Sequence, residues 1–320
     1  LRWFQEDTAT ETGARSAWLT RHKAALATMP TDELRLAVAL LQLTDAPAAA
    51  VPVLDRCPGA ATAADRGDCR LAAAMARRYT GDLAGAVRDA RAAVALEPMR
   101  FEASVTLAAV LALSGDRAAA VAALEGPMTA SPDDPKLLWA RAEIAMADGW
   151  PAAAPWVDRY LAIPTPETLN TAAWARTFIE PGAPAARAWV EAALREQQPP
   201  GYPLLNTQAV VLADADQPEA AWDAVRKSLE GKQPGAEDFY PLGRIAEAYG
   251  LRDEAITWYR RCTPPPIRGL GPTGWDFAQK RLKALGATSA APTTPAPTTP
   301  APPAPAATPT PATPAPAATP

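Results

Sequence analysis

Glycine and proline recur in this chain at one fixed period, and that period limits the folds open to it. Gly81, Gly115 and Gly149 stand 34 residues apart, and Pro98, Pro132 and Pro166 keep the same interval. Ala86, Ala120 and Ala154 share the register. Alanine matches weigh little in an alanine-rich chain, but three glycines and three prolines at one interval mark a structural repeat. Each position has a physical reason. A glycine between two helices takes the left-handed turn that ends the first at no steric cost. A small alanine lets two helices approach closely. A proline closes the unit, because it cannot continue the second helix and biases the residue before it away from helix. Each unit is therefore expected to be a helix, a short turn and a second helix.

Composition points the same way. Apolar residues make up 48% of the 320, enough for a sizeable core, and aromatics only 7%. Alanine dominates the apolar fraction and loses no side-chain entropy on entering a helix. Runs of Val, Ile, Thr and Tyr that would favour strands are nearly absent. The expected class is all-α.

These residues resemble the tetratricopeptide (TPR) family, whose unit is 34 residues. The family's small residue in the first helix corresponds to Ala74, Ala108 and Ala142. The clearest single match comes late, at Phe239, Leu242-Gly243, Tyr249-Gly250, Ala255-Ile256, Trp258-Tyr259 and Cys262. The resemblance implies a right-handed superhelical solenoid of antiparallel helix pairs. Arginine far outnumbers lysine, which suggests a GC-rich genome, and the chain is read as bacterial. An N-terminal segment, 1–30, is expected to be helical in part. The array covers 31–268, with its clearest units at 67–100, 101–134, 135–168 and 236–268. Weaker units fall at about 169–200 and 201–234, and a divergent helix pair over Asp32–Leu41 and Pro47–Cys57. The chain departs from the family's aromatic positions at Arg70, Arg77, Ser104 and Leu111. Pro127 is expected to bend or end its helix early.

A solenoid needs a terminal element to cover its last apolar face. Residues 269–286 supply a capping helix, in which Trp275, Ala278, Leu282 and Leu285 fall at helical spacing and Gly286 provides the stop. Thr263–Pro266 is expected to form a rigid connector before it. Residues 287–320 hold only Ala, Pro, Thr and one Ser. They cannot bury enough surface to offset their ordering entropy and are expected to form a disordered, extended tail. Such tails resemble spacers of bacterial envelope proteins; a drifted terminal extension is the plainer alternative.

No catalytic constellation is legible. There is no phosphate-binding glycine loop and no His-Glu-x-x-His. The single histidine, His22, lies between Arg21 and Lys23 as a solvated surface residue. Asp214 and Asp216 lack the rest of a calcium loop, and Asp133-Asp134 suits a turn and a helix cap. Trp189, Trp222 and Trp258 sit on second helices, where core packing explains them. No enzyme activity, cofactor or metal is expected. The formal charge of −4 is dispersed, which argues against nucleic acid. No run is long and apolar enough to span a membrane. Leu1-Arg2-Trp3-Phe4 suits either the wet edge of a lost anchor or signal, or an ordinary frayed terminus. The periplasm or cell envelope is favoured over the cytoplasm. Cys57 and Cys69 lie either side of a loop, as a disulfide in an oxidising compartment or as two buried thiols; Cys262 takes a small packing position.

In the TPR family the first helices line a concave groove. Carried across, its positions are Leu71, Met75, Arg78 and Tyr79, then Val105, Ala109 and Leu113, then Trp139, Glu143 and Met146, and in the late unit Tyr240, Arg244 and Glu247. Leu71 and Met75 stand where the family's chaperone-tail clamp carries Lys and Asn, so that activity is disfavoured. The expected function is a non-catalytic scaffold holding a peptide segment or helix of a partner protein. The alternatives are an accessory or regulatory region of a larger enzyme or signalling protein, and a self-associating repeat protein.

Overall fold

Helix starts and stops organise this chain. The computed structural model describes residues 47–55, 63–230, 233–235, 237–264 and 270–287. The expectations for 1–30, 32–41, Cys57, Pro265-Pro266 and all of the 287–320 tail but its first residue lie outside them. The described residues form fourteen helices and no strand: α1 Pro47–Leu54, α2 Ala63–Thr80, α3 Leu83–Leu96, α4 Phe101–Leu113, α5 Arg117–Ala130, α6 Pro135–Met146, α7 Trp150–Tyr160, α8 Pro166–Ile179, α9 Pro184–Glu196, α10 Tyr202–Asp214, α11 Pro218–Leu229, α12 Phe239–Ala248, α13 Arg252–Arg261 and α14 Gly274–Ala284. From α2 to α13 they pair in sequence, each first helix packing on the second helix that follows it.

One left-handed residue reverses the chain inside every pair. Gly81, Gly115, Gly149, Gly182 and Gly250 have φ between +74° and +94°. The turn between α10 and α11 places Asp216 there instead, at φ 58°. It stands 34 residues after Gly182 and 34 before Gly250, so the register continues through a non-glycine residue. Aspartate is among the few L-residues that tolerate this region. The residue after the turn then bonds back five residues: Asp82 N to Arg77 O at 2.9 Å, Asp116 N to Leu111 O at 3.0 Å and Leu251 N to Ala246 O at 2.9 Å. These bonds satisfy the orphan carbonyls of the first helix.

Two second helices, α3 and α5, start on an aspartate cap. Asp82 Oδ1 accepts from Gly85 N at 2.9 Å, and Asp116 Oδ1 from Ala119 N at 3.0 Å. Asp134 caps α6 in the same way. Pro166 opens a helix rather than closing a unit. It is the first residue of α8, behind the Thr165 capping box, where a missing N–H costs nothing. Pro135, Pro184 and Pro218 also stand first in their helices. Pro127 does not end α5, which continues to Ala130. It lies in the last turn, where only one intrahelical bond is lost.

Alanine sets the spacing between helices. Ala74, Ala86, Ala90, Ala108 and Ala120 have no exposed surface and share one core with Leu107, Val110, Leu124 and Leu137. Each buried leucine contributes about 2 kcal/mol, and a larger residue at one of the alanines would overpack the contact by about 1–3 kcal/mol. In α12 the small residue is Gly243, because a Cβ there would lie 2.3 Å from the Tyr259 ring.

The missing aromatics of the first unit have a replacement. Arg70 and Arg77 both reach Asp89, which is fully buried in α3, at 2.8 and 2.9 Å. Arg77 also holds Asp55 and Asp82. An ion-pair network thus fills the space that two rings would occupy. Cys69 is buried and disulfide-bonded, while Cys262 is a free buried thiol.

Candidate partner-binding groove

First helices pack on first helices: α2 on α4, α4 on α6, α8 on α10, α10 on α12 and α12 on α14. Second helices have no comparable contacts with one another. The side on which neighbouring helices pack more closely lies inside the curve of a helical array, so the first helices line its inner face.

The structure divides the expected groove residues into three groups. Leu71 and Ala109 are buried; Leu71 packs with Ala93 and Ala103 between helices, as core. Met75 and Tyr79 are half-buried and lean on the α1–α2 core around Leu54. Val105, Leu113, Trp139 and Met146 are also half-buried, and Trp139 packs its ring 5.0 Å from Tyr160. This stretch of the inner face is apolar and aromatic.

Glu143 stands within it. Burial pushes its carboxyl up to about 7, against a hydrogen bond from Trp139 and the charge of Arg78, both of which favour ionisation. Arg78, on α2, is itself lowered by burial. The carboxyl and the guanidinium therefore feel each other's charge in a poorly hydrated place.

Tyr240, Arg244 and Glu247 form the third group, and the chain itself covers them. Phe277 of α14 stacks on Tyr240 at 4.8 Å, leaving Tyr240 2% exposed. Arg244 binds Asp214 at 2.6 Å and Glu247 at 3.0 Å. Glu247 accepts from Tyr259 Oη at 2.8 Å and pairs with Arg281 of α14. These three residues are closed to a partner while α14 is docked, because the last apolar face of an array must be hidden from water.

Other residues of the inner face were not in the sequence expectation. Trp174 and Phe178 of α8 meet Phe277 edge-on at 4.8 and 4.7 Å. A cavity of about 420 Å³ lies beside them, lined by Asn170, Trp174, Tyr202, Asn206, Thr273 and Trp275. Asn206 and Tyr202 are tied to Asp238. Asn170 Oδ1 is buried without a protein donor. On the outer side, Trp222 is 47% exposed, with Tyr249 and Leu251 near it around a second hollow. Trp222 is therefore not the core residue its sequence position suggested; Trp189 and Trp258 are packed against cores.

No family model matches this chain, and no curated protein matches it. The likeness to TPR proteins rests on the repeat register and on the helix pairs that follow it.

Proposed function

We propose that this protein is a non-catalytic scaffold of TPR type that holds an extended segment or a helix of a partner protein along its inner face. Its setting is an assembly of a bacterial cell envelope. One observation carries the reading: the inner face already holds a non-helical stretch of polypeptide, the chain's own residues 270–273. Trp174 gives its indole N–H to the carbonyl of Pro272 at 2.9 Å, and Leu270 packs against the core of α2–α6. A surface that holds one non-helical segment through an aromatic donor and apolar contacts has the chemistry to hold another. Flexible Met75 and Met146 would let it adapt to irregular partners.

Affinity capture from native lysate, with mass spectrometry, tests this. Wild-type chain is expected to retain a specific protein that Tyr79→Ala and Trp139→Ala chains lose, with the helical circular dichroism of both variants intact. Unchanged capture by both variants would sink the reading.

A further inference from the structure

The C-terminal segment reaches further than capping requires. A cap for the last helix pair needs to touch α12 and α13 alone. This one also grips α8 and arrives at α6. Leu270 packs on the α2–α6 core. At Gly271 a Cβ would lie 2.7 Å from Glu143 Oε1, so the backbone passes closer to that carboxyl than any other residue could without displacing it. Pro272, whose ring fixes its φ, offers its carbonyl to Trp174. Thr273 turns the chain into α14 through a capping box with Asp276. Phe277, 2% exposed, enters between Trp174, Phe178 and Tyr240. Lys280 Nζ then bonds Phe178 O at 3.1 Å, and Arg281 pairs with Glu247.

Each contact specifies a residue type. The groove takes an aliphatic side chain at its α6 end, a close backbone passage over Glu143, and a carbonyl at Trp174. An aromatic ring follows in the α8–α12 pocket, and basic residues stand one turn beyond it. The match is incomplete, since Asn170 Oδ1, one turn before Trp174, lacks a protein donor beside the 420 Å³ cavity. A ligand that brought an N–H to that point would gain what the strap forgoes.

We infer that residues 270–281 are a cis ligand of the inner groove. The partner segment it admits carries the same order of chemistry: aliphatic, small residue, carbonyl acceptor, aromatic, basic. It competes with the strap, so an intact chain takes it with reduced affinity rather than not at all. This deepens, and rests on, the reading of the groove as a partner site. Apparent affinity in trans is then the intrinsic affinity scaled by the fraction of chains whose strap is out.

The test uses the full chain with a protease site placed in the connector at 265–269, and a labelled peptide of residues 269–287 as probe. Uncut chain is expected to bind the peptide at least about tenfold more weakly than cut chain, which exchanges its fragment for it. A Phe277→Ala peptide should bind at least about tenfold more weakly. Should the cut chain lose its helical circular dichroism, the uncut Phe277→Ala chain replaces it and is expected to capture wild-type peptide. The inference is overturned if uncut wild-type chain binds the peptide as tightly as cut chain. It is equally overturned if neither folded form with a loosened strap binds it. Peptide exchange without any lysate partner would uphold the cis ligand and count against the partner role alone.

Discussion

Replacing Glu143 by glutamine separates the cost of burying a carboxylate in the groove from the rest of the fold. Burial holds this carboxyl near 7, against an ordinary 4.5, so the folded chain prefers it protonated. The sign follows from that preference. Below pH 4.5 the group is neutral in both folded and unfolded chains, and its favourable environment counts in full. As pH rises, the unfolded chain ionises first and stability declines; above pH 7 both forms are ionised and the decline stops. At about 1.4 kcal/mol per pH unit, the loss over this window is about 3 kcal/mol. Glutamine has the same shape and no charge to form. Paired urea unfolding of wild type and Glu143→Gln from pH 4.5 to 8 isolates the effect, since other carboxylates cancel in the difference. Wild type should match or exceed the variant at pH 4.5 and lose about 3 kcal/mol relative to it by pH 7.5. A difference that does not change with pH would refute the burial argument. A difference that moves in favour of wild type would mean that Arg78 holds Glu143 ionised.

Three other perturbations probe separate parts of the account. Asp89→Ala leaves Arg70 and Arg77 facing a buried void, and urea unfolding should show a loss of about 3–5 kcal/mol; replacing all three by apolar residues of similar volume should restore most of it. Asp216→Gly relieves a left-handed aspartate and should raise stability by about 0.5–1 kcal/mol in the same assay. Burial pushes the Cys262 thiol up to about 12, so at pH 8 it should react with thiol reagents only on unfolding, and a non-reducing peptide map should join Cys69 to Cys57.

Much of the fold was legible because it is local. Gly81, Gly115 and Gly149 announce left-handed turns through backbone sterics alone, and all three take them. Local rules also explain the errors. Pro166 fits the end of one helix and the start of the next equally well on sequence, and only the Thr165 capping box decides between them. Asp216 suggests an incomplete calcium loop by residue type alone, whereas its 34-residue spacing from Gly250 marks the turn. Trp222 sits on the amphipathic α11, and one face of a helix does not reveal whether a neighbour covers it. The groove was the least legible feature. Its occupant comes from residues 98 and 102 positions away, in the Trp174–Pro272 and Phe178–Lys280 contacts. No helical period signals such contacts, and a Pro/Gly-rich stretch has the same composition whether it crosses open water or lies in a groove. Phe277, 2% exposed, falls outside the Trp275, Ala278, Leu282 and Leu285 spacing.

The central claim is that a partner lies along the inner face. Site-specific photo-crosslinking tests it most directly, with the crosslinking residue placed at Val105 on the inner face or at Trp222 on the outer one, in native lysate. The account predicts an intermolecular adduct from position 105 and none from position 222. An adduct from position 222 alone would contradict it and move recognition to the exposed patch of Trp222, Tyr249 and Leu251.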